Sequence, residues 1–151
     1  MPHALIVHGG WDGHTPQQSA ALFEAELKQL GYDVTVRDTL DAYTEAELMS
    51  GLDLIVPIWT MGEISDEQWQ GLRDTVYAGC GYAGFHGGII DSFRGNNEYQ
   101  FMTGGQFVGH PGNCEPTFDV VTADADHEIT RGIPGFTLAG TEQYYVHVDP
   151  G

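Results

Sequence analysis

The chain has 151 residues, 41% of them hydrophobic, which is enough to bury the core of one folded domain. Five basic residues against 22 acidic ones leave a net charge of −17, and this excludes the clustered Lys and Arg that nucleic acid or an anionic membrane surface requires. No apolar run approaches the ~20 residues of a membrane-spanning helix. The N-terminus carries no basic segment followed by an apolar stretch, so a soluble, cytoplasmic protein is expected. Cys80 and Cys114 form no C-x-x-C pair and are expected as free thiols.

In chain order, Ala4-Leu5-Ile6-Val7 reads as a buried strand that breaks at His8-Gly9-Gly10. Thr15 as N-cap, Pro16 in the first turn and Gln18 as capping-box partner predict a helix. Its inward stripe is expected from Ala21, Leu22, Ala25, Leu27 and Leu30, and Gly31 closes it. A strand over 32–37 follows, then a short helix opened by a Thr44/Glu47 capping box and a buried strand over 53–58. Ser65 with Gln68 caps a third helix, through Trp69, Leu72 and Val76 to Gly79, and a strand over 81–86 enters Gly87-Gly88. This β-α-β-α-β-α-β alternation predicts an α/β fold of three layers, a mainly parallel central sheet flanked by helices.

Beyond residue 95 the pattern loosens, and 118–121, 136–138 and 144–148 read as edge strands or an antiparallel flap. Asp149-Pro150-Gly151 is turn chemistry that leads onward, so the natural chain is expected to continue past this single domain of 1–151.

Parallel sheets bind ligands outside the carboxyl ends of their strands, and three segments reach that edge. They are His8 to His14, His86 to Gly88, and the loop from Gly104 to His110. Gly84-Phe85-His86-Gly87-Gly88 has the spacing of a nucleophile elbow with histidine at the exposed position. Acyl-enzyme chemistry is therefore disfavoured there, while a general base or a metal ligand remains open. His14, His86 and His110 are expected to converge, either on a divalent metal such as zinc or in metal-free proton transfer. Trp11, Trp59 and Tyr99 are candidate stacking walls for a sugar. His3, His127 and His147 are expected to be structural or surface residues.

The ordered set of motifs resembles the trehalose-utilisation (ThuA-like) family, a branch of the class I glutamine amidotransferase-like, flavodoxin-like fold. The resemblance rests on His14-Thr15, on Gly81 to His86, on Gly104-Gly105-Gln106-Phe107-Val108-Gly109-His110-Pro111, and on Thr141-Glu142-Gln143-Tyr144. Thr141 stands where the family's pattern has an acidic residue. What the resemblance implies is carbohydrate metabolism, with oxidised disaccharides or glycosides as substrates and no glutaminase cysteine. His86, His110 and Glu142 are the expected catalytic residues, with Trp11, Gly87, Tyr99 and Tyr144 expected against the sugar. A lyase, isomerase or hydrolase step on a keto-sugar is one reading, and a non-catalytic sugar-binding or regulatory module is the alternative. No nucleotide is expected. A functional link to a sugar dehydrogenase and self-association are the candidate partnerships.

Overall fold

A computed structural model describes residues 1–149. Pro150 and Gly151, on which the expected terminal turn partly falls, lie outside the described residues. The described residues divide into two compact units, one formed by residues 1–106 with 148–149 and the other by 107–147.

The first unit is built on a four-stranded parallel sheet of order β2-β1-β3-β4, with β1 His3–Gly10, β2 Asp33–Arg37, β3 Leu54–Thr60 and β4 Gly81–Tyr82. Alternation along β1 decides how its two faces are covered. Leu5 and Val7 enter one cluster with Leu40, Tyr43, Met49, Trp69, Leu72 and Tyr99. Ala4 and Ile6 enter the other, with Ala20, Leu27, Val56 and Ile58. Helix α1 (Pro16–Gln29) therefore covers one face, and α2 (Ala46–Met49), α3 (Asp66–Tyr77) and α5 (Asn97–Thr103) the other. This unit is the three-layer α/β arrangement that the alternation predicts. Between α3 and α5, the one-turn helix α4 (Gly87–Ile90) packs on β3.

Several local expectations are corrected. Thr15 adopts φ 46°, ψ 52°, a left-handed conformation, and its side chain makes no cap hydrogen bond. Of the expected stripe Leu27 is buried, while Ala21, Leu22, Ala25 and Leu30 are exposed, and helix α1 buries Pro16 and Ala20 with it, Phe23 packed beside them. The stripe starts at Pro16 and follows steps of three and four, so a set counted from Ala21 points sideways. The Thr44/Glu47 box does not form, because the Thr44 hydroxyl donates to the Asp41 carbonyl within a 3-10 turn (Leu40–Thr44). The Ser65/Gln68 box is present in both directions.

In the second unit, β6 (Thr117–Val120) and β7 (Phe136–Ala139) form the antiparallel pair expected of a flap. Strand β5 (Gly105–Gly109) pairs with β8 (Tyr145–Val148). The segment read as a glycine-rich loop at 104–110 is thus largely a strand. Among the described residues, no helix is long and apolar enough to cross a membrane.

Candidate functional site

Chain order runs outward from β1 in both directions, to β2 on one side and to β3 and β4 on the other. At such a reversal the loops after the two central strands splay apart and leave a crevice at their carboxyl ends. The 3-10 turn Asp12–His14 follows β1, and Thr60 ends β3. His14 Nδ1 lies 2.8 Å from the Thr60 hydroxyl, which is buried. This bond fixes the imidazole, and when Nδ1–H donates, the lone pair resides on Nε2. Trp11 stands edge-on to His14 with ring centroids 4.7 Å apart. Its indole folds so closely over Gly13 that a Cβ there would lie 2.4 Å from the ring. Half-exposed, Trp11 is placed as a wall beside the histidine.

The elbow delivers His86 to the same place. His86 has φ 52°, ψ −148°, a region occupied almost only by glycine. The strain sits on the histidine itself; the flanking glycines are there for clearance. A Cβ on Gly84 would approach Ile89 Cβ to 2.9 Å and Pro57 Cγ to 3.1 Å, and one on Gly88 would reach the Ile58 Cα at 3.1 Å. A Cβ on Gly87 would lie 2.8 Å from His14 Cε1. Close seating on β3 thus forces the turn, and the turn sets the His86 ring 4.7 Å from that of His14, edge to face at 77°. A ring nitrogen of each lies within 4.8 Å of one on the other, so both imidazoles have the donor type and spacing to reach one divalent ion. Phe85, beside the elbow, stacks on Phe23 of α1 at 5.0 Å.

In the second unit, pairing of β5 with β8 brings the residue after one strand beside the residues before the other. His110 Nε2 lies 3.6 Å from Glu142 Oε2. Phe107, His110 and Tyr144 form a three-ring cluster with centroid separations of 4.7 to 4.9 Å. The His110 Nε2 atom is buried and accepts or donates no hydrogen bond among the described residues. Within the first unit His14 thus meets His86, and within the second His110 meets Glu142.

Sequence reading missed Thr60, whose signal was a hydroxyl ending an apolar strand at the central crevice, and Phe107, which holds His110. Tyr99 is not the stacking wall expected. It is 1% exposed, and its hydroxyl donates to the Ile89 carbonyl at 2.9 Å within the core. Trp59 packs against that core across Gly9 and Gly62. His8 lies inside β1 opposite Ile58, and His3 bonds Thr35 at 2.9 Å, so neither joins the pair. Cys80 and Cys114 are free, and burial pushes the Cys80 thiol up, away from a thiolate nucleophile.

The sequence pattern of the trehalose-utilisation (ThuA) family matches residues 3–151. The chain belongs to that family. The family is described by trehalose utilisation. A crystal structure described as a ThuA-like protein from Bacteroides uniformis ATCC 8492 superimposes with a TM-score of 0.75 at 18% identity, covering 95% of this chain and 60% of that one. At that identity the likeness speaks for the fold. The chain spans 60% of the length of that relative. A comparison with curated proteins returns no match.

Proposed function

We propose that this ThuA-family chain is an enzyme acting on a neutral keto-sugar, such as an oxidised disaccharide or glycoside, through its two imidazole groups. The observation that carries the reading is His86. A bulky side chain is held in a near-glycine conformation at a cost of about 1–3 kcal/mol, with its ring aimed at a second histidine at the head of the central strands.

A keto group acidifies the C–H bond beside it. A neutral imidazole takes that proton, and a protonated one donates to the carbonyl oxygen, so the negative charge never develops unsupported. His14, oriented by Thr60, and His86 serve the carbonyl end. His110 moves the proton, with Glu142 stabilising its charged form or accepting the proton in its place. Elimination, isomerisation and hydrolysis share this enolate step. His14 and His86 are the proposed holders of a zinc-type ion, with His110 as third ligand or as proton carrier, and a bound ion would supply Lewis acidity to the carbonyl oxygen. Trp11, Gly87 and Tyr144 are the proposed contacts to the sugar. A sugar dehydrogenase is the class of reaction that supplies such a ketone.

The test combines metal analysis of the purified chain with NMR of a keto-disaccharide during incubation. One equivalent of metal, lost in His14→Ala and in His86→Ala, together with turnover, supports the enzyme. Sugar binding without turnover replaces it with a non-catalytic sugar-binding module. Neither binding nor turnover overturns both.

A further inference from the structure

Both turns that carry the paired histidines are tied to the same three residues at the end of β3. Thr60 holds the His14 ring at its hydroxyl, and its carbonyl accepts from Trp11 N–H at 3.1 Å, at the start of the turn that bears His14. The neighbours of Thr60 on either side bind the segment that leaves α4. Ser92 donates its hydroxyl to the Trp59 carbonyl at 2.6 Å, and Met61 N–H donates to the Asp91 carbonyl at 2.8 Å. Phe93 N–H then donates to the Met61 carbonyl at 3.3 Å, so Met61 and Ser92 form a parallel bridge. Helix α4 is thereby held to β3 at both ends. Gly84 and Gly88 seat its start, beside His86, on Pro57 and Ile58, and Asp91 and Ser92 fix its end. Only the four residues of α4 separate His86 from Asp91, and the His86 carbonyl accepts from Ile90 N–H at 3.2 Å. A shift at one end of this single turn is felt at the other.

The bridge is closed against local preference. Met61 (φ 60°) and Phe93 (φ 49°) are left-handed although neither is glycine, a conformation that persists only where the surroundings impose it. Between them lies the Asp91 carboxylate, 6% exposed and gripped by Arg94 through two bonds of 2.5 and 2.8 Å. Arg94 is held in turn by Gln100 of α5, whose side-chain amide donates to the Arg94 carbonyl at 2.7 Å. A buried ion pair adds little net stability over apolar side chains, but removing one partner leaves a charge that must be neutralised or turned out to water. Without Arg94 the Asp91 carboxylate turns outward, and the strained bridge held by its carbonyl relaxes with it. We propose that Asp91, Ser92 and Arg94 are positioning residues, which set the spacing of His14 and His86 by fixing Thr60 and the end of α4 to one another. The proposal rests on the functional reading above only in taking this pair as the reacting site.

The test reads the pair directly in the full chain, from the nuclear Overhauser cross-peak between the ring protons of His14 and His86. Rings with centroids 4.7 Å apart, edge to face, are expected to give this peak in the parent, and its absence there would overturn the pairing and the proposal with it. Arg94→Ala is expected to lose the peak while staying folded by circular dichroism. Arg94→Lys, which returns a point charge to Asp91 without the two-pronged grip, is expected to regain part of it. Ser92→Ala removes a single hydroxyl, is expected to weaken the peak severalfold, and decides the matter if Arg94→Ala does not fold. Val34→Ala is the comparison, since it thins the core on the α1 side at the amino end of the sheet and is expected to leave the peak intact. An undiminished peak in folded Arg94→Ala and Ser92→Ala overturns the proposal. Equal loss in Val34→Ala also overturns it, because any loss of stability would then loosen the pair. No sugar enters this measurement, so a chain that keeps the predicted peaks but turns over no keto-disaccharide overturns the functional reading and leaves the positioning standing.

Discussion

At the residue scale, His86 concentrates the tension between stability and function. Its φ of 52° with ψ −148° suits glycine, so His86→Gly releases about 1–3 kcal/mol of strain against about 0.5–1 kcal/mol of added chain entropy. The variant is expected to melt higher than the parent by denaturant titration while losing metal and turnover. A less stable His86→Gly would show that the conformation is not strained. Gly87 makes the reciprocal case. Gly87→Val places a branched side chain within 2.8 Å of the His14 ring position and 3.2 Å from Thr60, at an expected cost of about 1–3 kcal/mol. Because the collision displaces His14 from Thr60, metal affinity is expected to fall more than stability does. The histidine at this turn was legible from the spacing of Gly84, His86 and Gly88. That the strain would fall on the histidine was not, since it arises from how closely Gly84 and Gly88 seat on β3.

At the scale of elements, β1, β2 and β3 were readable because each is a short apolar or alternating run, and α3 because Ser65 and Gln68 announce its start. Strand β5 was not, because Gly104-Gly105 looks like a loop and the strand exists through pairing with β8. Helix α5 was missed for a similar reason: it has seven residues and is fixed by Asn96 accepting from the Tyr99 amide and by burial of Tyr99. That burial has a measurable consequence. Tyr43, Tyr82 and Tyr99 share one core, and burial raises each phenol above its ordinary value near 10. The folded state therefore holds phenolic protons that the unfolded state releases above about pH 10, and stability is lost as pH rises from there towards the folded values. Each tyrosine is expected to remove about 1.4 kcal/mol per pH unit in that window. Denaturant titrations between pH 8 and 11, with tyrosinate absorbance, check this. A flat profile would contradict the shared core.

At the scale of the molecule, 22 acidic residues against five basic ones make repulsion a general term. Surface charges beyond a Debye length of ~10 Å at 0.1 M salt are screened, so raising sodium chloride from 10 mM to 0.5 M is expected to raise the melting temperature. An unchanged or lower value would mean that local ion pairs outweigh the net field. The fold class and the motif order were legible because alternation and glycine spacing are local. The pairing of His14 with His86 depends on strand order and on backbone strain, which no local pattern encodes.

The central claim is that these histidines perform chemistry on a keto-sugar. The most direct measurement is the rate at which a keto-disaccharide is consumed by the parent and by His14→Ala, His86→Ala and His110→Ala, each checked for folding by circular dichroism. The account predicts turnover by the parent and a fall of about 100-fold or more in every folded variant, the usual scale of a lost acid–base group. Folded variants that consume the ketone as fast as the parent would contradict it.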